Sequence, residues 1–398
     1  MKTEKLAAFF IAVIVFLTYF SFNKRSLATE YLMIAMLLYI LFIKKISMST
    51  TPAFILAFVS LLMFLFSGQL SERGFNAPIG HAMKFVYFFL TIVIANIFPW
   101  LRDKYKKRVY WLLFLTVILS LIVSIYYVTA VDIYAIRYYE DRGFNKVLDF
   151  NQIYALPILF AIILCFMFTS FKKLEFKTRS FFLAFLFLIL WCIFRSLYTF
   201  ALFMLMLGSV LAFFMHWEKT SRTKFILIGM FAIIAVLLIF VFAEPVSNLI
   251  DGITQNWNWL VRARVMNVVD KILGTNHQNW YTSERRDELA AYSLNTFKSH
   301  PLFGVGYSGY GYGVIGCHQE WYDLLGVFGV LGSSLVIAVF IYSSYKIYKN
   351  TRTKLDKTCY LTALIIFAIL GFVNPCICLP ILILVYLIAP NISIIAPL

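Results

Sequence analysis

His318, followed by Gln319, carries an imidazole whose ordinary pKa of about 6.5 lets it take a proton from a hydroxyl at neutral pH. Upstream, Arg286 stands at the head of an expected helix: Ser283 reads as its N-cap, Asp287 and Glu288 fall early, Lys298 and His300 close it, and Pro301 ends it. A guanidinium beside helix N-terminal amides suits a phosphate, because dipole and charge favour the same anion; a solvated surface arginine is the plainer alternative. Arg262 and Arg264 lie in the same polar stretch, and Arg195 interrupts an otherwise apolar one, where an unpaired cation is costly. Between Arg286 and His318, six glycines occur in the thirteen residues 304–316, interleaved with Tyr307, Tyr310 and Tyr312, whose rings offer faces for stacking on sugars. Gly304-Val305-Gly306-Tyr307-Ser308-Gly309 has the spacing of a dinucleotide-binding loop. That loop requires a preceding strand and a following helix, and here a helix-ending proline precedes it. Cys376 and Cys378 are too close for the usual zinc pair, and no metal or cofactor is expected. Whether Cys317 forms a disulfide with either of them is left open by the sequence.

These side chains must be held by a membrane scaffold. Of 398 residues, 62% are hydrophobic and 14% charged, and the mean hydropathy is +0.84, well above soluble usage. Apolar runs at 6–22, 27–43, 52–68, 80–101, 109–131, 151–171, 180–194, 197–217, 225–243, 321–345, 358–373 and 379–390 predict about twelve transmembrane helices, since lipid cannot satisfy an open backbone. The fold class is therefore an all-α polytopic membrane protein. Transmembrane helices occupy 1–243 and 321–398, and one long loop, 244–320, joins the ninth helix to the tenth. The first run lacks a small-residue cleavage site and reads as a retained helix. His81 and Lys84 stand at the end of the fourth run, where they could face a cavity. Gly326, Gly329 and Gly332 recur every third residue in the tenth, predicting a smooth face for close helix packing that would fix His318 at its mouth.

A net charge of +16 does not point to nucleic acid, because the basic residues sit between apolar runs rather than on one soluble face. Alternate connections 2–5, 44–45, 102–108, 172–179, 219–224 and 346–357 hold 21 of the 35 Lys and Arg residues. By the positive-inside rule both termini are expected in the cytoplasm and the loop 244–320 outside it.

Two motifs resemble the O-antigen polymerase and ligase superfamily. The first is His318-Gln319, nine residues, then Gly329-Val330-Leu331-Gly332. The second is Arg286 ahead of Pro301-Leu302-Phe303-Gly304-Val305-Gly306. Arg195 matches more weakly, being flanked by Phe194 and Ser196 where the family often has serine and glycine; Arg262 and Arg264 fall where it often has a further loop arginine. The resemblance implies metal-independent glycosyl transfer at the outer face of a bacterial cytoplasmic membrane, with an undecaprenyl-diphosphate-linked glycan as donor and another as acceptor. It implies His318 as base, and Arg286, Arg195, Arg262, Arg264, Gln319, Tyr307 and Tyr310 as substrate-binding residues. Membrane lipids, and with them a flippase and a chain-length regulator, are the implied partners. A ligase passing finished glycan to a lipid core or a protein fits the same motifs. A transporter or flippase is the alternative of another class, which would show internal repeats or broken helices about a midplane site.

Overall fold

The computed structural model describes residues 5–11, 13, 50–67, 78–130, 150–196, 198–216, 243–256, 262–263, 265–266, 269–270, 284–311 and 313–395. The runs 27–43 and 225–242, the connection 132–149, Ser283, Arg264 and Tyr312 lie outside the described residues, as does the side chain of Arg286.

The described residues build helices joined by short connections, with no strand among them: α1 (Thr51–Phe66), α2 (Pro78–Ile97), α3 (Asp103–Ala130), α4 (Phe150–Ser170), α5 (Phe176–Arg195), α6 (Thr199–His216), α7 (Ala243–Thr254), α8 (Glu284–Ser299), α9 (Glu320–Asn350), α10 (Lys354–Leu370) and α11 (Leu379–Ile383), the last continuing through a π turn and a 3-10 turn to Ile394. Among the described residues, five segments are long and apolar enough to cross a bilayer: His81–Trp100, Asp103–Tyr126, Ile153–Lys173, Phe176–Arg195 and Glu320–Asn350. α5 shows why the surroundings are lipid. It buries Phe182, Phe185, Ile189 and Ile193, yet exposes Phe181, Leu183, Phe187, Trp191 and Phe194 on its outer side. A helix that is apolar all round has no aqueous face. The chain is a helical membrane protein.

Local signals set the helix ends. Pro52 and Pro78 open α1 and α2, Asp103 places a carboxylate at the positive end of α3, and Thr353 caps α10 by accepting from the Asp356 amide at 3.0 Å. α3 starts ahead of its apolar run because the charged turn 103–108 is itself helical. Gly208 lets α6 approach α4, where an added Cβ would lie 3.0 Å from that of Ala161.

Short connections make successive helices antiparallel. Phe114 of α3 meets Phe182 of α5, Tyr110 donates to the Ile388 carbonyl, and Asp356 accepts from Ser393 at 2.7 Å, so these residues share one end of the bundle. The basic connections 102–108, 172–179 and 346–357 lie at that end. The start of α2, the 196–198 turn, the start of α9 and the 371–378 connection lie at the other.

α9 departs from the sequence expectation of one straight helix. Gly329 has φ 62° and ψ −167°, and the chain bends there so far that the Trp321 and Phe340 rings come within 6.4 Å. In a straight helix, nineteen residues would separate them by about 28 Å. The glycines do not form one stripe either: Gly326 faces the Ser293 backbone of α8, Gly329 faces Leu302, and Gly332 faces Phe328 of its own helix.

Candidate functional site

His318 stands exposed on the turn 316–319 that leads into α9, and the chain around it is tied down on both sides. Asp323, in the first turn of α9 and buried, accepts from the Cys317 amide at 3.2 Å and from the Gln319 amide at 3.1 Å. Ser293 of α8 donates to the same carboxylate at 2.6 Å and accepts from the Gly316 amide at 2.9 Å. Cys317 needs such restraint, since its φ of 59° is a left-handed conformation that a side chain disfavours. Its thiol is 2.8 Å from the Tyr310 hydroxyl. Burial pushes the thiol's pKa up, and the Tyr310 hydrogen bond partly opposes that. Cys317 and Cys376 are free thiols.

One residue beyond Gln319, the Glu320 carboxylate is fully buried. It accepts from Lys84 Nζ of α2 at 3.0 and 3.2 Å and from the amides of Cys376 and Ile377 at 3.0 and 3.1 Å. A buried carboxylate is tolerated where its lone pairs are filled, and here four donor contacts fill them. This knot joins the head of α9 to α2 and to the α10–α11 connection. The Trp321 indole donates to the Ala368 carbonyl at 2.8 Å and extends it. Lys84 thus faces a partner inside the bundle. His81 packs against Tyr307, Tyr310 and Phe328, and its Nε2 is buried with no partner among the described residues.

The segment from Pro301 to Gly306 lies along the break in α9. The amides of Val305 and Gly306 donate to the carbonyls of Gly326 and Val327 at 3.1 and 2.8 Å, while those of Val330 and Leu331 donate to the carbonyls of Pro301 and Leu302 at 2.8 and 3.1 Å. The backbone groups that a broken helix would orphan are thereby satisfied. Just beyond, Tyr307 is buried, with its hydroxyl 2.7 Å from Ser60 Oγ of α1 and 3.4 Å from His81 Nδ1. Tyr310 is also buried. The expectation of open tyrosine faces is not met at either position. Both rings are covered because the glycine-rich stretch folds into the helices instead of standing off them.

Arg262 donates to Asp251 of α7 at 2.7, 2.9 and 3.0 Å, so its fork is committed to a carboxylate within the same stretch. Arg195 is exposed at the last turn of α5, a helix packed on α3, α4 and α6, at the same end of the bundle as His318. Arg286 lies in the first turn of α8, the helix whose Ser293 holds the His318 turn. Gln319 Oε1 is buried and has no partner among the described residues. No group of three His, Cys, Asp or Glu side chains could hold a metal ion among the described residues.

Compared with protein-family models, curated proteins and solved structures, the chain matches none. Sequence reasoning passed over Glu320, Asp323 and Ser293. The available signal was two acids three residues apart at the head of an apolar run, a costly placement that calls for buried partners.

Proposed function

We propose that the chain is a membrane glycosyltransferase that joins undecaprenyl-diphosphate-linked oligosaccharide units into a surface polysaccharide, with His318 as general base. One observation carries the reading: the two motif segments that resemble the O-antigen polymerase and ligase superfamily, 301–306 and 329–332, are hydrogen-bonded to each other, and the same unit presents His318 on a braced, exposed turn. In the reaction, neutral His318 takes the proton of an acceptor hydroxyl as its oxygen bonds to the anomeric carbon of the donor sugar. The bond from that carbon to the diphosphate breaks, and the lipid diphosphate leaves with the electron pair. Arg286, Arg195 and Arg264 are the cations proposed to stabilise that charge. Arg262 joins them only by releasing Asp251.

The twelve-span topology, with both termini cytoplasmic, belongs to the same proposal. Its support is that, among the described residues, the basic connections 102–108, 172–179 and 346–357 gather at the end of the bundle opposite His318, the asymmetry expected of a cytoplasmic face. A ligase acting on a lipid or protein acceptor uses the same chemistry. Among the described residues, the break at Gly329 is a feature that favours transport, since transporters bind ions at unwound helices. Here the freed carbonyls of Gly326 and Val327 already accept from Val305 and Gly306, so the break leaves them satisfied without an ion.

The test is the length ladder of surface polysaccharide in cells lacking the native gene and carrying His318→Ala. Loss of a general base typically costs about 10² to 10⁴-fold in rate, so single repeat units should accumulate on the carrier at normal membrane levels of the variant. An unchanged ladder overturns the reading.

A further inference from the structure

The His318 turn holds no regular secondary structure, and yet the amides of Gly316, Cys317 and Gln319 all end on one buried pair, Asp323 and Ser293. The pair is itself joined by the 2.6 Å hydrogen bond from Ser293 to Asp323. Both residues are almost wholly buried, at 1% exposure for Asp323 and 0% for Ser293, whereas His318 between the two clamped amides is exposed. Ser293 also belongs to α8, which carries Arg286 in its first turn. We infer that Asp323 and Ser293 are the positioning residues of the proposed reaction, a two-residue clamp that sets the backbone of His318 and ties it to the helix carrying Arg286. The inference rests on the proposed role of His318 for its effect on turnover, but the clamp itself is testable without it.

An ionised carboxylate is an acceptor at both oxygens, so it can take two amides and a hydroxyl at once. A carboxamide offers one acceptor oxygen and turns a second donor toward an N–H. Asp323→Asn should therefore release one side of the turn, and Ser293→Ala, the milder change, should release Gly316. In bilayer nanodiscs, hydrogen exchange of the peptide spanning 314–320 should rise at least about tenfold in both variants, with the amides of α10 unchanged. With lipid-linked oligosaccharide as substrate, turnover should fall on the order of 10²-fold while KM stays within about threefold, because a misplaced base loses rate and not affinity. In a His318→Ala background, Asp323→Asn should cost nothing more. Unchanged exchange in both variants overturns the clamp. Faster exchange with full turnover, where His318→Ala is inactive, overturns its positioning role and spares the function. A fully active His318→Ala sinks the proposed function, and the exchange result then still decides the clamp.

Discussion

Gly304 and Gly329 meet backbone to backbone: a Cβ on Gly329 would lie 2.6 Å from the Gly304 nitrogen, and one on Gly304 would strike the Val327 carbonyl. Both have positive φ, 66° at Gly304 and 62° at Gly329. The segment 301–306 can splice the broken helix only because neither residue carries a side chain.

Gly329→Ala and Gly304→Ala should therefore each be severely destabilising. Backbone strain alone costs roughly 1–3 kcal/mol, and the clash adds to it. Gly252→Ala in α7, where nothing lies within 4 Å of an added Cβ, should be neutral or stabilising by about 0.5–1 kcal/mol. Thermal unfolding in detergent, with the yield of folded protein, distinguishes them; a Gly329→Ala protein as stable as Gly252→Ala would refute the splice.

Removing one member of the Lys84–Glu320 pair strands a buried charge. Lys84→Met should cost about 3–5 kcal/mol, since Glu320 is fully buried, although its two amide donors remain. Lys84→Met combined with Glu320→Gln should recover part of the loss, because the charge is then gone. A double-mutant cycle on unfolding midpoints measures the coupling, and additive losses would show that the two residues act independently.

Arg262 and Asp251 should behave as one unit. If the 2.7 Å contact is a tether, Arg262→Ala and Asp251→Ala have the same modest effect on the polysaccharide ladder and the double variant is no worse than either. A diphosphate ligand would behave differently: Asp251→Ala would free the guanidinium and preserve activity. Arg286→Lys should shorten the ladder markedly if the forked geometry binds diphosphate, and mildly if charge alone matters.

Because burial raises the pKa of Cys317, its thiolate fraction at pH 8 is below that of an ordinary cysteine, and alkylation should be slow there and rise with pH. Tyr310→Phe removes the hydroxyl that lowers this pKa, so the pH of half-maximal alkylation should move upward. Mass spectrometry of the 317-containing peptide follows the rate across pH. A downward move would mean that Tyr310 does not stabilise the thiolate.

The helical membrane character and the placing of α1–α6 and α10 were legible in the sequence by itself, because hydrophobic length is a property of consecutive residues. The polar stretch that holds His318 and Arg286 was legible too, since charge is too costly to place elsewhere in so apolar a chain. Only the tertiary structure decided the rest. Gly329 could serve close helix packing or a positive φ, and the one-letter signal is the same for both; the neighbour at Leu302 settled it. Tyr307 could face solvent or core, and Ser60, 247 residues away, drew it inward. Glu320 found Lys84 across 236 residues. Nothing local in the chain names such a partner, because the energy of a buried charge depends on what the fold brings within hydrogen-bonding distance.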